Sequence, residues 1–232
     1  MRRLALLLTL VCACDAGPAG GDDDGPDAGD LAPDAALPAD ANVTPPGEVL
    51  GTFQLTYYWV ASEGEHPGPA DTALYDESCG LLATVSADFA DAIALEGTGR
   101  LLDGRLLNVA GACACATTPC YAEADDAHPW GYGVQNRALE PFRSIAVDRD
   151  VIAYGTGIYL AELDGVTMPG DAGWGQFVHD GCVVAADTGG GIVGEHVDFF
   201  VGLRAAYRDL DGELGLGTIT VQAGGDRCPD QP

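Results

Sequence analysis

Six short runs in which apolar and polar side chains alternate, each closed off by glycine, aspartate or proline, leave this chain few ways to fold. They are "GTFQLTYYWVA", "RSIAVD", "GTGIYLAEL", "GQFVHDGCVVAAD", "HVDFFVGL" and "GTITVQA". A period of two puts one parity of residues on a core face and the other outward, and β-branched and aromatic residues fit such a pleated surface. In "HVDFFV", Val197, Phe199 and Val201 share a core face, with His196, Asp198 and Phe200 opposite. In "CVVAAD", the same rule groups Val183, Ala185 and Asp187. One helical stretch stands out, "SADFADAIALEG", where Phe89, Ala90, Ile93 and Ala94 form a stripe. The expectation is an all-β barrel or sandwich. Residues 97–142 read as a long loop or short hairpins, held by disulfides and lying beside a site or capping the barrel.

The N-terminal residues belong to targeting. Arg2 and Arg3, the apolar run Leu4 to Val11 and the small residue before Cys14 form a lipoprotein signal over residues 1–14, with lipidation expected at Cys14 rather than Cys12. Residues 15–46 hold eight aspartates, no basic residue and no aromatic one, so they read as a disordered acidic tether. The folded domain is expected over 47–232. The whole chain carries a formal charge of −26 and all ten of its basic residues are arginines, which argues against nucleic acid as a partner.

Six cysteines fall in the domain: Cys79, Cys113, Cys115, Cys120, Cys182 and Cys228. In an exported chain they predict up to three disulfides of unassigned connectivity, with Cys228 stapling the C-terminus to the body. "CACATTPC" lacks the second C-x-x-C pair of a zinc site, and His66, His128, His179 and His196 show no ligand spacing. No metal or cofactor is called for. There is no G-x-S-x-G elbow, no P-loop and no dinucleotide fingerprint, and "DLDGELG" lacks the spacing of a calcium loop.

"AADTGGGIVGEHVDFFVG" remains. It sets Asp187 and Asp198 on either side of a run of three glycines. Asp198 is mid-strand, outward-facing and beside Phe200, where an apolar neighbour would raise its proton affinity. His196 shares that face. Trp130 and Tyr132, with one glycine between them, are candidate sugar-stacking rings, and Tyr58 is a third.

"RSIAVDRDVIAYGT" followed by "AADTGGGIVGEHVDFF" resembles the 3D domain, named for three aspartates, and is similar in particular to the C-terminal half of the membrane-bound lytic murein transglycosylases of the MltA type. The matching aspartates are Asp148 in "AVD", Asp187 in "ADTGGG" and Asp198 in "VDFF"; "LTYYWVA" resembles the opening strand more loosely. The resemblance implies a double-psi β-barrel of about six strands with a disulfide-stapled loop insertion. It also implies cleavage of the MurNAc-GlcNAc β-1,4 bond of peptidoglycan to a 1,6-anhydro sugar by one acid/base, Asp198, with Asp187 and Asp148 in support. Trp130, Tyr132, His196 and Phe200 would then bind substrate. The expected partners are glycan strands and, through the lipid alone, a membrane, with a monomeric protein on the periplasmic face of the outer membrane. Two features depart from the family: Val193 stands where its glycine turn commonly carries lysine, and only residues 97–142 are available to form the second wall of a glycan groove. A non-catalytic, expansin-like glycan-binding module and a hydrolytic glycosidase using Asp187 and Asp198 are the alternatives on the same barrel.

Overall fold

The computed structural model describes residues 46–231. The signal, Cys14 and nearly all of the tether lie outside the described residues.

Six strands close into a barrel. In chain order they are β1 (Val49–Tyr58), β8 (Ser144–Val147), β9 (Gly157–Leu160), β10 (Cys182–Asp187), β11 (His196–Phe200) and β12 (Thr218–Ala223). Around the barrel the order is β1-β11-β8-β10-β9-β12, with β12 returning to β1. The pairs β1/β11 and β8/β10 are parallel; the other four are antiparallel. Closure leaves no unpaired edge.

Alternation fills the interior. Phe53 and Leu55 of β1, Ile145 and Val147 of β8, Ile158 and Leu160 of β9, and Val197 and Phe199 of β11 meet Val183, Ala185, Ile219 and Val221 in one core. Burying each large side chain contributes about 1.5–3 kcal/mol over leaving it exposed. Helix α2 (Arg204–Leu214) covers one side with Ala206 and Leu210. That helix includes the segment weighed above only as a calcium loop. Its start lacks a side-chain cap, and Gly212 interrupts its period, so its helical signal is weak.

Between β1 and β8 the chain builds a second lobe out of short hairpins and one helix. Strands β2 (Ala61–Ser62), β5 (Thr98–Arg100), β6 (Leu106–Gly111) and β7 (Cys120–Glu123) form a four-stranded sheet, and β3 (Thr72–Tyr75) pairs with β4 (Leu81–Val85). Helix α1 (Ala87–Glu96) is the one expected from sequence. Ser86 Oγ accepts the Phe89 N–H at its start, and Gly97 ends it at φ 81°. Phe89, Ala90 and Ile93 bury against Leu74, Val85, Leu107 and Tyr121 in a core of their own. Of the two readings of 97–142, the short hairpins are what forms: β5, β6 and β7 pair antiparallel in sequence order and disulfides hold them, while β2 and β5, only two and three residues long, are too short to show alternation.

All six domain cysteines are paired. Cys79–Cys115 and Cys113–Cys120 staple the second lobe, and Cys182–Cys228 ties the C-terminus to β10. The sulfurs of Cys113, Cys115 and Cys120 cluster within 4.8 Å, but each is held in a disulfide, so none is a thiolate available to a metal. A third apolar cluster joins barrel to lobe through Tyr58, Val60, Leu106, Leu139, Ala146, Ala186 and Phe200.

Candidate active site

The cleft between barrel and lobe is where the candidate carboxylates meet. A cavity of about 380 Å³ is lined by Tyr58, Ala146, Asp187 and Asp198 of the barrel, the glycine turn at 188–190, and Glu96, Asn108 and Tyr132 of the lobe.

Asp198 reaches it from the outer face of β11, since Val197 and Phe199 on either side point into the barrel. Its neighbour in register on β1 is Thr56, whose hydroxyl donates to Asp198 Oδ1 at 2.7 Å. Thr56 Oγ1 also lies 2.8 Å from His196 Nε2. A hydroxyl has one hydrogen, and here it goes to Asp198, so His196 must donate through Nε2. The resulting relay runs His196 to Thr56 to Asp198. Burial raises the Asp198 carboxyl above the ordinary carboxylate range, while the Thr56 hydroxyl and His196 pull it back.

Asp187 arrives by a different route. Simple alternation would put it in the barrel core with Val183 and Ala185, but the register of β10 against β8 slips between Ala185 and Asp187. This bulge turns Ala186 and Asp187 off the alternation, so Ala186 joins the cluster beneath the lobe and Asp187 the cleft. Tyr58 Oη donates to Asp187 Oδ2 at 3.0 Å, and the Thr188 N–H donates to Oδ1 at 2.8 Å. Burial lifts Asp187 to about 6; those two donors oppose the lift and the charge of Asp198 adds to it.

Asp148 stands apart. Its oxygens accept the N–H groups of Asp150 (2.9 Å) and Gly194 (2.8 Å), which hold its carboxyl below the usual range. Asp148 does not line the cavity, and its bond to Gly194 anchors the far end of the glycine turn.

The aromatic candidates separate. Tyr132 lines the cavity, fixed by a two-way pair in which its N–H donates to Asn108 Oδ1 and Asn108 Nδ2 donates to its carbonyl. The approach is close: a Cβ at Gly133 would collide with the Ala186 carbonyl. Trp130 instead lines a separate cavity of about 420 Å³ with Trp174, Phe177 and Arg143. Phe200 is 1% exposed and packs between Tyr58 and Trp130, so it cannot meet a substrate. Tyr58 is 8% exposed and serves Asp187 as a donor rather than offering a stacking face.

Two lining or supporting residues were not singled out from sequence. Thr56 follows from the alternation that buries Phe53 and Leu55, which sends Thr56 and Tyr58 outward. Glu96 carries a subtler signal, a carboxylate in the last turn of a helix, where the macrodipole disfavours negative charge.

Residues 143–218 match the family model of the 3D domain. This part of the chain is similar to the 3D domain. Asp148, Asp187 and Asp198 all fall inside it, as the motif resemblance implies. Escherichia coli MltA with bound chitohexaose aligns at TM-score 0.52 and 16% identity, over 75% of this chain and 71% of that one. The membrane-bound lytic murein transglycosylase of Agrobacterium tumefaciens aligns at 0.45 and 14% identity (75% and 74%), and LtgG of Burkholderia pseudomallei at 0.42 and 18% (75% and 73%). At such identities the likeness to MltA is one of fold, and it extends beyond the 3D domain into the second lobe. No curated protein sequence matches the chain.

Proposed function

We propose that this protein is a peptidoglycan lytic transglycosylase, in which Asp198 serves as the single acid/base and the barrel is of the double-psi form. The observation that carries the reading is a mid-strand carboxyl with raised proton affinity, held by Thr56 and opening into a cleft between two lobes. The E. coli MltA that shares this fold binds chitohexaose, a chain of N-acetylated sugars. Two parallel pairs within a closed six-stranded barrel support the double-psi topology.

The chemistry follows from that carboxyl. Neutral Asp198 gives its proton to the glycosidic oxygen, the C1–O bond breaks, and the bonding pair leaves with the departing sugar. The carboxylate left behind then takes the proton of the C6 hydroxyl as O6 bonds to C1, which closes the 1,6-anhydro ring. No second carboxylate is required, unlike a glycosidase that activates water. Asp187 supports the first step through its charge when ionised, and Asp148 by fixing the glycine turn. Tyr132, which lines the cleft, binds the glycan in this reading, His196 acts through Thr56, and Trp130 extends the contact beyond the cleft.

In this reading residues 47–232 act as one unit. They are exported and held by lipid at Cys14, on the periplasmic face of the outer membrane, as a monomer on the tether 15–46. The test is to incubate residues 47–232 with purified peptidoglycan and analyse the soluble products by mass spectrometry, beside Asp198→Asn. Anhydro-muropeptides that vanish in the variant are expected. Reducing-end products would make the protein a hydrolase, and sedimentation with peptidoglycan without products would make it a binding module.

A further inference from the structure

Glu96 is a half-buried carboxyl that the single-acid mechanism does not use. It ends α1, the one well-capped helix of the second lobe, and lines the same cleft as Asp187 and Asp198. Its Oε2 accepts the Trp59 N–H at 3.1 Å, just past the end of β1, which fixes the side chain between barrel and lobe. Among the described residues no hydrogen bond occupies its Oε1. No basic residue lies in the last turn of α1 to offset its charge at the negative helix end. A lobe core needs no such carboxyl, since Phe89 and Ile93 on the buried stripe already secure the helix.

We infer that Glu96 is a further catalytic residue of this cleft, a carboxyl from the second lobe that hydrogen-bonds the N-acetylated glycan opposite Asp198. The inference rests on the glycan-cleaving reading above and adds to it a second carboxyl with its own protonation requirement. Burial lifts Glu96 to about 7, the Trp59 N–H opposes this, the charge of Asp198 adds to it, and Arg204 pulls it down more weakly. The other titratable groups lining this cavity are Asp187 on β10, Tyr58 on β1 and Tyr132 of the lobe, and His196 on β11 bonds Thr56 beside Asp198. Below about pH 7 the group is therefore neutral, and a neutral carboxyl can donate to a sugar oxygen or acetamido carbonyl. Once Asp198 has passed its proton to the leaving group, its new charge strengthens the hold of Glu96 on its own proton.

The experiment compares wild type, Glu96→Gln and Glu96→Ala in the domain from residue 47. It measures kcat/KM for release of soluble muropeptides from pH 4.5 to 9, with thermal melts as a check on folding. In wild type both Asp198 and Glu96 must hold protons, so log kcat/KM falls with a limiting slope of two at high pH. Glutamine keeps the acceptor for Trp59 and a donor toward the glycan but does not titrate. Glu96→Gln should therefore retain activity within about threefold at pH 5 and fall with a slope of one, while Glu96→Ala loses roughly tenfold or more. If Glu96 merely holds the Trp59 N–H, Glu96→Gln keeps the wild-type slope and the inference is overturned.

Chitohexaose binding, measured by calorimetry in an Asp198→Asn background, covers the case in which wild type releases nothing. Without the Asp198 charge the Glu96 step moves below pH 7. Binding should weaken as pH rises through that step, and the weakening should be absent when Glu96→Gln is added. That result without products would sink the transglycosylase reading and leave Glu96 as a glycan contact. Neither products nor binding would remove both.

Discussion

Asp187 and Asp198 pair with the same residue, Ala146, from opposite sides. Strand β8 runs between β10 and β11, so the two aspartates sit two strand spacings apart, roughly 10 Å between Cα atoms. Ala146 is too small to separate them, and Tyr58 on β1 packs in the same cluster and reaches Asp187. A separation of eleven positions in sequence becomes a fixed distance across one strand.

Removing the acid should end the reaction without harming the fold. Asp198→Asn is expected to lower product release by about two to four orders of magnitude. Its melting temperature should match or exceed that of wild type, because the substitution removes a half-buried ionisable group. Activity lost together with the cooperative melt would instead mark Asp198 as structural.

Thr56→Val tests the relay. The Thr56 hydroxyl favours ionised Asp198, so its loss raises the proton affinity of the acid. The fall of kcat/KM with rising pH should move upward by about one unit or less, with little change at pH 5. A shift to lower pH would contradict this assignment.

Tyr58→Phe leaves Asp187 Oδ2 without its donor. An ionised acceptor suffers more than a neutral one, so the cost should be about 1–2 kcal/mol at pH 8 and smaller at pH 5. Urea denaturation at the two pH values reads the difference, and equal costs would mean that Asp187 does not ionise across this range.

Asp187 and Glu96 both hold protons more tightly folded than unfolded. The stability this contributes is fully present below their unfolded values near 4 and is lost as pH rises through about 6 and 7. The domain should therefore melt lower at pH 8 than at pH 5. Asp187→Asn should recover about 1–2 kcal/mol of that loss, or about 2–6 °C. General charge repulsion also grows with pH, so thermal melts of the variant against wild type isolate the aspartate, and parallel pH curves would rule out its contribution.

The disulfides should differ in worth. Cys182–Cys228 spans 46 residues and Cys113–Cys120 spans 7. Loop-closure entropy gives about 4 kcal/mol for the first and about 2 for the second. Paired cysteine-to-serine variants, compared in guanidinium denaturation, should keep that order.

What the sequence by itself determined was local. Alternation marked the barrel strands and named Val197, Phe199 and Val201 as core, because a period of two survives in any strand with one buried face. Helix α1 showed through its apolar stripe, and the three aspartates showed through their motifs. Only the tertiary structure decided the rest. A bulge after Ala185 moved Asp187 off the core face, a one-residue shift that alternation cannot foresee. Strands of two and three residues built a second lobe because pairing partners, and not their own pattern, hold them extended. That lobe buried Phe200, divided Trp130 from Tyr132, and brought Glu96 to the cleft from 102 positions away in the chain. Such juxtapositions depend on how separate elements pack, and no local spacing encodes them.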